Sequence, residues 1–104
     1  MIPDYNNFYA SFQRVTKAEV KNILIRNNWG CAKESWFDFN LTNDWSELIL
    51  HGDETEPLIS GAVYYSHTII EILDRIFNLL PGSFVYEFYD AENLLLFERK
   101  KGLL

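Results

Sequence analysis

The sequence predicts an α+β fold: an antiparallel sheet of about four strands, arranged as two hairpins, with helices packed on one face. Three observations carry this reading. Apolar residues recur at helical spacing in two segments, and other segments alternate apolar with polar side chains around short polar turns. The two kinds of segment follow one another in the order helix, hairpin, helix, hairpin.

The first helix opens at Thr16-Lys17-Ala18-Glu19, a capping box in which the Thr hydroxyl and the Glu carboxylate each satisfy a free backbone N–H. Val20, Ile23 and Leu24 follow on one face, and Trp29-Gly30 closes the segment. Ahead of it, Tyr5, Phe8, Tyr9 and Phe12 also share a helical face, and Pro3 suits a first turn. Residues 3–13 are therefore read as a short helix in preference to a strand. The first hairpin runs from Ser35 to Leu41, turns at Thr42-Asn43-Asp44 and returns from Trp45 to Leu50. Strand side chains alternate between faces, so Phe37, Phe39, Leu48 and Leu50 make a core face. Trp36, Asp38, Trp45, Glu47 and Ile49 then stand on the reverse.

A polar loop, His51-Gly52-Asp53-Glu54-Thr55-Glu56-Pro57, separates the halves. Ser66 then caps a second helix carrying Ile69, Ile70, Leu73, Ile76, Phe77 and Leu80 as a continuous stripe, and Pro81-Gly82 stops it. Glu71, Asp74 and Arg75 occupy its solvated side. In the second hairpin Phe84, Tyr86, Phe88, Leu95 and Phe97 face the helices, and Val85, Glu87, Tyr89, Leu94, Leu96 and Glu98 face away. Extra strands fit before each helix, around residues 9–15 and 62–65. The repeated helix–hairpin plan raises an internal duplication.

A chain of 104 residues with 48% hydrophobic and 16% aromatic content suits a single domain, 1–104, with one packed core. Met1-Ile2-Pro3-Asp4 does not open a signal peptide, and no apolar run reaches membrane-spanning length, so the expected location is the cytoplasm. The single cysteine, Cys31, leaves no internal disulfide and is expected to be a buried small hydrophobe. The formal net charge is −6, and the basic residues cluster only at Arg99-Lys100-Lys101. Such a field repels nucleic acid and anionic lipid and attracts a basic protein.

No motif for catalysis or a cofactor is present. His51 lies beside Asp53, Glu54 and Glu56, but the spacing matches neither a zinc nor a calcium site. His67 sits in a first helical turn, where a positive imidazolium is disfavoured. The five glycines form no phosphate loop, and Glu87 and Glu98 oppose an RNA-stacking role for the aromatic strands. The expectation is a protein that is not an enzyme and carries no cofactor or metal. A small-molecule pocket built around His51, His67 or Cys31 is the catalytic alternative.

Carboxylates set among large aromatics are poor dressing for solvent and good dressing for an interface. In its charge, in Asp38 and Glu47 beside Trp36 and Trp45, and in the acidic loop at Asp53, Glu54 and Glu56, the chain resembles small acidic bacterial toxin-immunity proteins, including those of contact-dependent inhibition systems. The resemblance extends over the whole chain in general character and rests on no motif. It implies a cytosolic inhibitor that covers the active site or substrate path of a basic, nuclease-type toxin. The expected partner-binding residues are Trp36, Asp38, Trp45, Glu47, Ile49, Asp53, Glu54, Glu56, Glu87 and Glu98. Two other readings share these features: a structural or regulatory subunit that dimerises through its sheet face, and a phage-encoded inhibitor that mimics nucleic acid.

Overall fold

The computed structural model describes residues 5–102. It has the expected class but a larger sheet, of seven antiparallel strands rather than about four. In chain order these are β1 (Tyr5–Gln13), β2 (Gly30–Lys33), β3 (Phe39–Asn43), β4 (Ser46–Gly52), β5 (Pro57–Tyr64), β6 (Ser83–Tyr89) and β7 (Leu95–Lys101). Helix α1 (Lys17–Arg26) follows β1, and α2 (His67–Phe77) follows β5. Across the sheet the strands lie in the order β2-β3-β4-β5-β1-β6-β7.

One of the inner strands, β1, is the segment read from sequence as a helix. In β1, Phe8, Ala10 and Phe12 are buried at alternate positions, while Tyr9 and Gln13 are exposed. The helical spacing of Tyr5, Phe8, Tyr9 and Phe12 is real, but a short isolated helix is marginal in water. As a strand the segment gains hydrogen-bonded neighbours on both sides, β5 and β6. Pro3, assigned to the helix start, lies outside the described residues.

Both helices start and bury their faces as the sequence indicates, but α2 ends at Phe77 with Asn78 as its C-cap, so Leu80 is buried from the turn beyond the helix rather than from the stripe. The Glu19 N–H donates to Thr16 Oγ1 at 3.1 Å and the Thr16 N–H donates to Glu19 Oε1 at 2.8 Å, completing the capping box. Ser66 Oγ accepts from the Ile69 N–H at 3.1 Å. Val20, Ile23 and Leu24 of α1 are buried over β3 and β4. Ile69, Ile70, Leu73, Ile76 and Phe77 of α2 are buried, and the Phe77 ring meets Phe12, Phe84 and Tyr86 at centroid distances of 5.4, 5.7 and 5.9 Å. By register, the buried side chains of β3, β4, β1 and β6 project from the same face, so both helices share it. Trp29, just past α1, donates its indole N–H to the buried Ser46 hydroxyl at 2.8 Å.

The order strand, helix, strand, strand occurs twice, as β1-α1-β2-β3 and β5-α2-β6-β7, but the crossings differ. The first passes from β1, third from one edge, to β2 at the opposite edge, whereas the second steps over β1 alone. Gly61, in the middle of β5, is required by close approach: a Cβ there would run into the Glu47 carbonyl oxygen of β4.

Both hairpins depart from the expected register. Residues 34–38 form the loop between β2 and β3, so Phe37 is exposed, Phe39 is half-buried, and Leu41 joins Leu48 and Leu50 in the core. In the second hairpin a register shift next to Tyr89 sets Phe88 opposite Phe97 and Tyr89 opposite Leu95. Leu95 therefore leaves the helix face for the open one. Asp74, read as solvated, instead accepts the Tyr86 hydroxyl at 2.6 Å and the Arg99 guanidinium at 3.2 Å.

Candidate functional site

The residues expected on one aromatic and acidic sheet face are divided by the structure between two surfaces. The first lies at the end of the sheet, where the β2–β3 loop meets the β4–β5 loop. Trp36 and Phe37 stand side by side in the first loop, 83% and 76% exposed. Together with Asp38, Asp53 and Glu54 they line an open cavity of about 680 Å³. Trp36 and Asp38 were expected on the reverse face of a strand, but a local turn, in keeping with the poor strand propensity of Asp38, takes both out of the sheet. In that turn the Glu34 N–H donates to the Asp38 carbonyl at 2.9 Å and the Ser35 hydroxyl accepts from the Asp38 N–H at 3.3 Å.

Lys17 holds the two loops together. Its backbone N–H donates to the Glu54 carbonyl at 2.8 Å. Its ammonium donates to the Gly52 carbonyl at 2.9 Å and lies 3.5 Å from Asp38 Oδ1. Among the described residues Asp53, Glu54 and Glu56 enter no ion pair, so their charge is available to a partner. Of the nearby cations, Lys17 is buried, and Lys33 lies over the Trp36 ring at 4.8 Å. Arg14 lines a second cavity with Asp53 and Glu56, without an ion pair to either among the described residues.

The second surface is the sheet face without helices. Registers place Thr42, Glu47, Ala62, Asn7, Tyr89 and Leu95 in one row across it, and Asn40, Ile49, Ser60, Tyr9, Glu87 and Glu98 in the next. The structure thus brings together Glu47, Ile49, Glu87 and Glu98 as the sequence suggested. Trp45 is not among them. It lies in the β3–β4 turn, where its ring packs edge-on against Trp29 at 5.0 Å, and it is half-buried. Tyr9 and Tyr89 contact edge-on at 5.7 Å. The Tyr89 phenol is pushed above its ordinary value, by desolvation first and then by the Glu87 and Glu98 carboxylates. An open trough of about 1000 Å³ spans β2 to β1, with Asn7, Tyr9, Asn40, Glu47, Ile49 and Ser60 among its lining residues. The contribution of Tyr9 and Asn7 was missed because β1 was read as a helix; the alternation Asn7, Tyr9, Ser11, Gln13 against Phe8, Ala10, Phe12 is the signal that could have found it.

The residues considered for chemistry are scattered. His51 lies opposite Leu58 on the open face, with its Nε2 buried and without a hydrogen-bond partner among the described residues. His67 sits 3.0 Å from Glu71 on the solvated start of α2. Cys31 is exposed on edge strand β2, not buried, because α1 packs over β3 and β4 and leaves that edge uncovered. No group of His, Cys, Asp or Glu side chains is arranged to hold a metal ion among the described residues. Likewise, none of the described helices is long and apolar enough to cross a membrane. No protein-family model, curated protein or solved structure matches the chain.

Proposed function

We propose that this chain is an acidic protein-binding inhibitor acting in the cytoplasm, of the immunity-protein type, and that it neutralises a basic, nuclease-type toxin by covering its active site or substrate path. The observation that carries the reading is the pair Trp36 and Phe37, exposed at a loop tip beside the carboxylates of Asp53 and Glu54, which enter no ion pair among the described residues. Two adjacent aromatics left in water have no role in the core. In an interface they supply the desolvated anchors that dominate binding energy. The carboxylates beside them supply the opposite field that accelerates encounter with a cationic surface and compete there with substrate phosphates. Inhibition of this kind needs neither a cofactor nor a catalytic group.

The test is inhibition of an identified partner. A protein captured by the wild-type chain is identified, then assayed for nuclease activity with the chain added. The expected result is stoichiometric inhibition by wild type and its loss in a Trp36→Ala, Glu54→Lys variant that remains folded. An acidic partner, or undiminished inhibition by that variant, overturns the reading.

A further inference from the structure

The helix-free face of the sheet is a second surface with its own recognition chemistry, separate from the loop end. Its middle is formed by β5 and β1, where the outward side chains include the small Ala62, Ser60 and Ser11. Among them Tyr9 and Leu58 are exposed. The trough over β2 to β1 adjoins a smaller one of about 410 Å³ that reaches β6, the two sharing Tyr9 and Ser60. Carboxylates flank this floor on both sides: Glu47 on β4, and Glu87 and Glu98 on β6 and β7. Lys100 is the cation that the register puts on the same face, and its ammonium is 3.9 Å from Glu98.

We propose that this face receives a lysine- or arginine-bearing α-helix of a partner protein, laid along β5 and β1 with cationic side chains on both flanks. Three features favour that occupant. The first is charge. A second copy of the chain pairing face to face would set Glu47, Glu87 and Glu98 against like charges, and nucleic acid would meet the same repulsion. A cationic segment meets attraction. The second is backbone chemistry. The peptide groups of β5 and β1 are engaged with strands on both sides. An extended segment lying on the face would find no ladder partners for its own N–H and C=O groups, whereas a helix satisfies them internally. The third is width. Glu47 and Glu87 are separated by the strand steps from β4 through β5 and β1 to β6. At ~4.8 Å a step the gap is roughly 14 Å, which matches a helix of ~10–12 Å diameter, side chains included, with its lateral cations reaching the carboxylates. Ala62, Ser60 and Ser11 leave low ground between the raised side chains of Tyr9, Leu58 and Tyr64, so a helix would seat its small side chains against those three and its backbone over the gaps.

The experiment uses the whole ¹⁵N-labelled chain and two synthetic peptides of equal positive charge. One is a helix former with an alanine and leucine stripe between lysine flanks; the other has the same composition with prolines inserted to prevent helix formation. The expected result is that the helical peptide shifts the amide signals of Asn7, Tyr9, Ser60 and Ala62, and that its affinity falls about tenfold or more in a Glu47→Lys, Glu87→Lys variant. Trp36→Ala should leave it unchanged, which separates this surface from the loop end. Glu47→Gln with Glu87→Gln, which should give an intermediate loss, serves as the second variant if charge reversal disturbs folding. The proposal is overturned by absence of binding, by equal binding of both peptides, by signals that shift only at residues 34–38 and 53–56, or by a self-associated chain whose open face is already covered.

Discussion

The Lys17 side chain is only 4% exposed, and its ammonium, 3.5 Å from Asp38, joins two loops that the sequence separates by a strand hairpin. Lys17 is the first residue of α1, a position where the helix dipole disfavours a cation. Its placement is explained by what it reaches: Asp38 in one loop and the Gly52 carbonyl at the start of the other. Asp38 is partly exposed, so the ion pair itself contributes little in screened solvent. The hydrogen bond from a buried ammonium to a carbonyl contributes more.

Lys17→Met keeps most of the aliphatic stem and removes the charge. It is expected to cost ~1–3 kcal/mol, the scale of a charged hydrogen bond, and to accelerate hydrogen exchange at residues 34–38 and 53–56 well before the rest of the chain. Exchange mass spectrometry checks this. Protection of both loops at the wild-type level would show that they hold their positions without Lys17.

Tyr86 gives a pH signature. Its side chain is fully buried, and its hydroxyl donates to Asp74, which also accepts from Arg99. Burial, then the hydrogen bond to Asp74 and its charge, push the phenol well above its ordinary value of 10.0. A group whose folded-state pKa is raised stabilises the fold fully below its unfolded pKa, and that stability is lost as pH rises beyond it. Stability should therefore fall above about pH 10, approaching ~1.4 kcal/mol per pH unit for one released proton. Tyr86→Phe should remove this part of the slope while costing ~1.5–3 kcal/mol at neutral pH, through loss of a hydrogen bond to a charged acceptor. Urea titrations at pH 7 to 11 measure both. An unchanged alkaline slope in the variant would assign it to other groups.

Leu73 tests the helix stripe. It is completely buried on α2. Leu73→Ala should lower stability by ~2–5 kcal/mol, because it removes buried methyl groups and leaves a cavity. A change within ~0.5 kcal/mol, typical of a surface site, would place the helix face wrongly.

How much was legible from sequence follows from which interactions are local. The stripe from Ile69 to Phe77 and the caps at Thr16 and Ser66 depend on neighbours in the chain, and the structure has them as read. Strands whose partners are distant were harder. β5 begins at Pro57 and carries Gly61 at its middle, both poor strand formers, yet β1 and β4 on either side supply its pairing. β2 is short, with every residue exposed, and has no alternation to detect. Of the candidate site residues, Glu47, Ile49, Glu87 and Glu98 were placed correctly because period-two alternation holds inside formed strands. Trp36, Asp38 and Trp45 were misplaced because each lies in a turn, where alternation carries no information. The meeting of the 34–38 loop with Asp53 and Glu54 is bridged by Lys17, and nothing local in sequence marks that contact.

The loop end separates folding from binding most cleanly. Trp36 and Phe37 contribute little to the core, since both are largely in water. Replacing both with Ala should change folding stability by no more than ~0.5 kcal/mol, as expected for surface positions. Against a captured basic partner the same double variant should dissociate much faster, because loss of a desolvated anchor appears mainly in the off-rate. Asp53→Lys with Glu54→Lys should act on the other half of the process. Reversing charges that stand in no ion pair among the described residues removes steering, so association slows and its dependence on salt weakens, with stability nearly unchanged. Binding kinetics at two ionic strengths distinguish the contributions: the aromatic variant moves the off-rate at both, and the charge variant moves the on-rate most at low salt. If neither variant changes either rate while the Glu47→Lys, Glu87→Lys variant does, the partner is held by the open sheet face and not by the loop end.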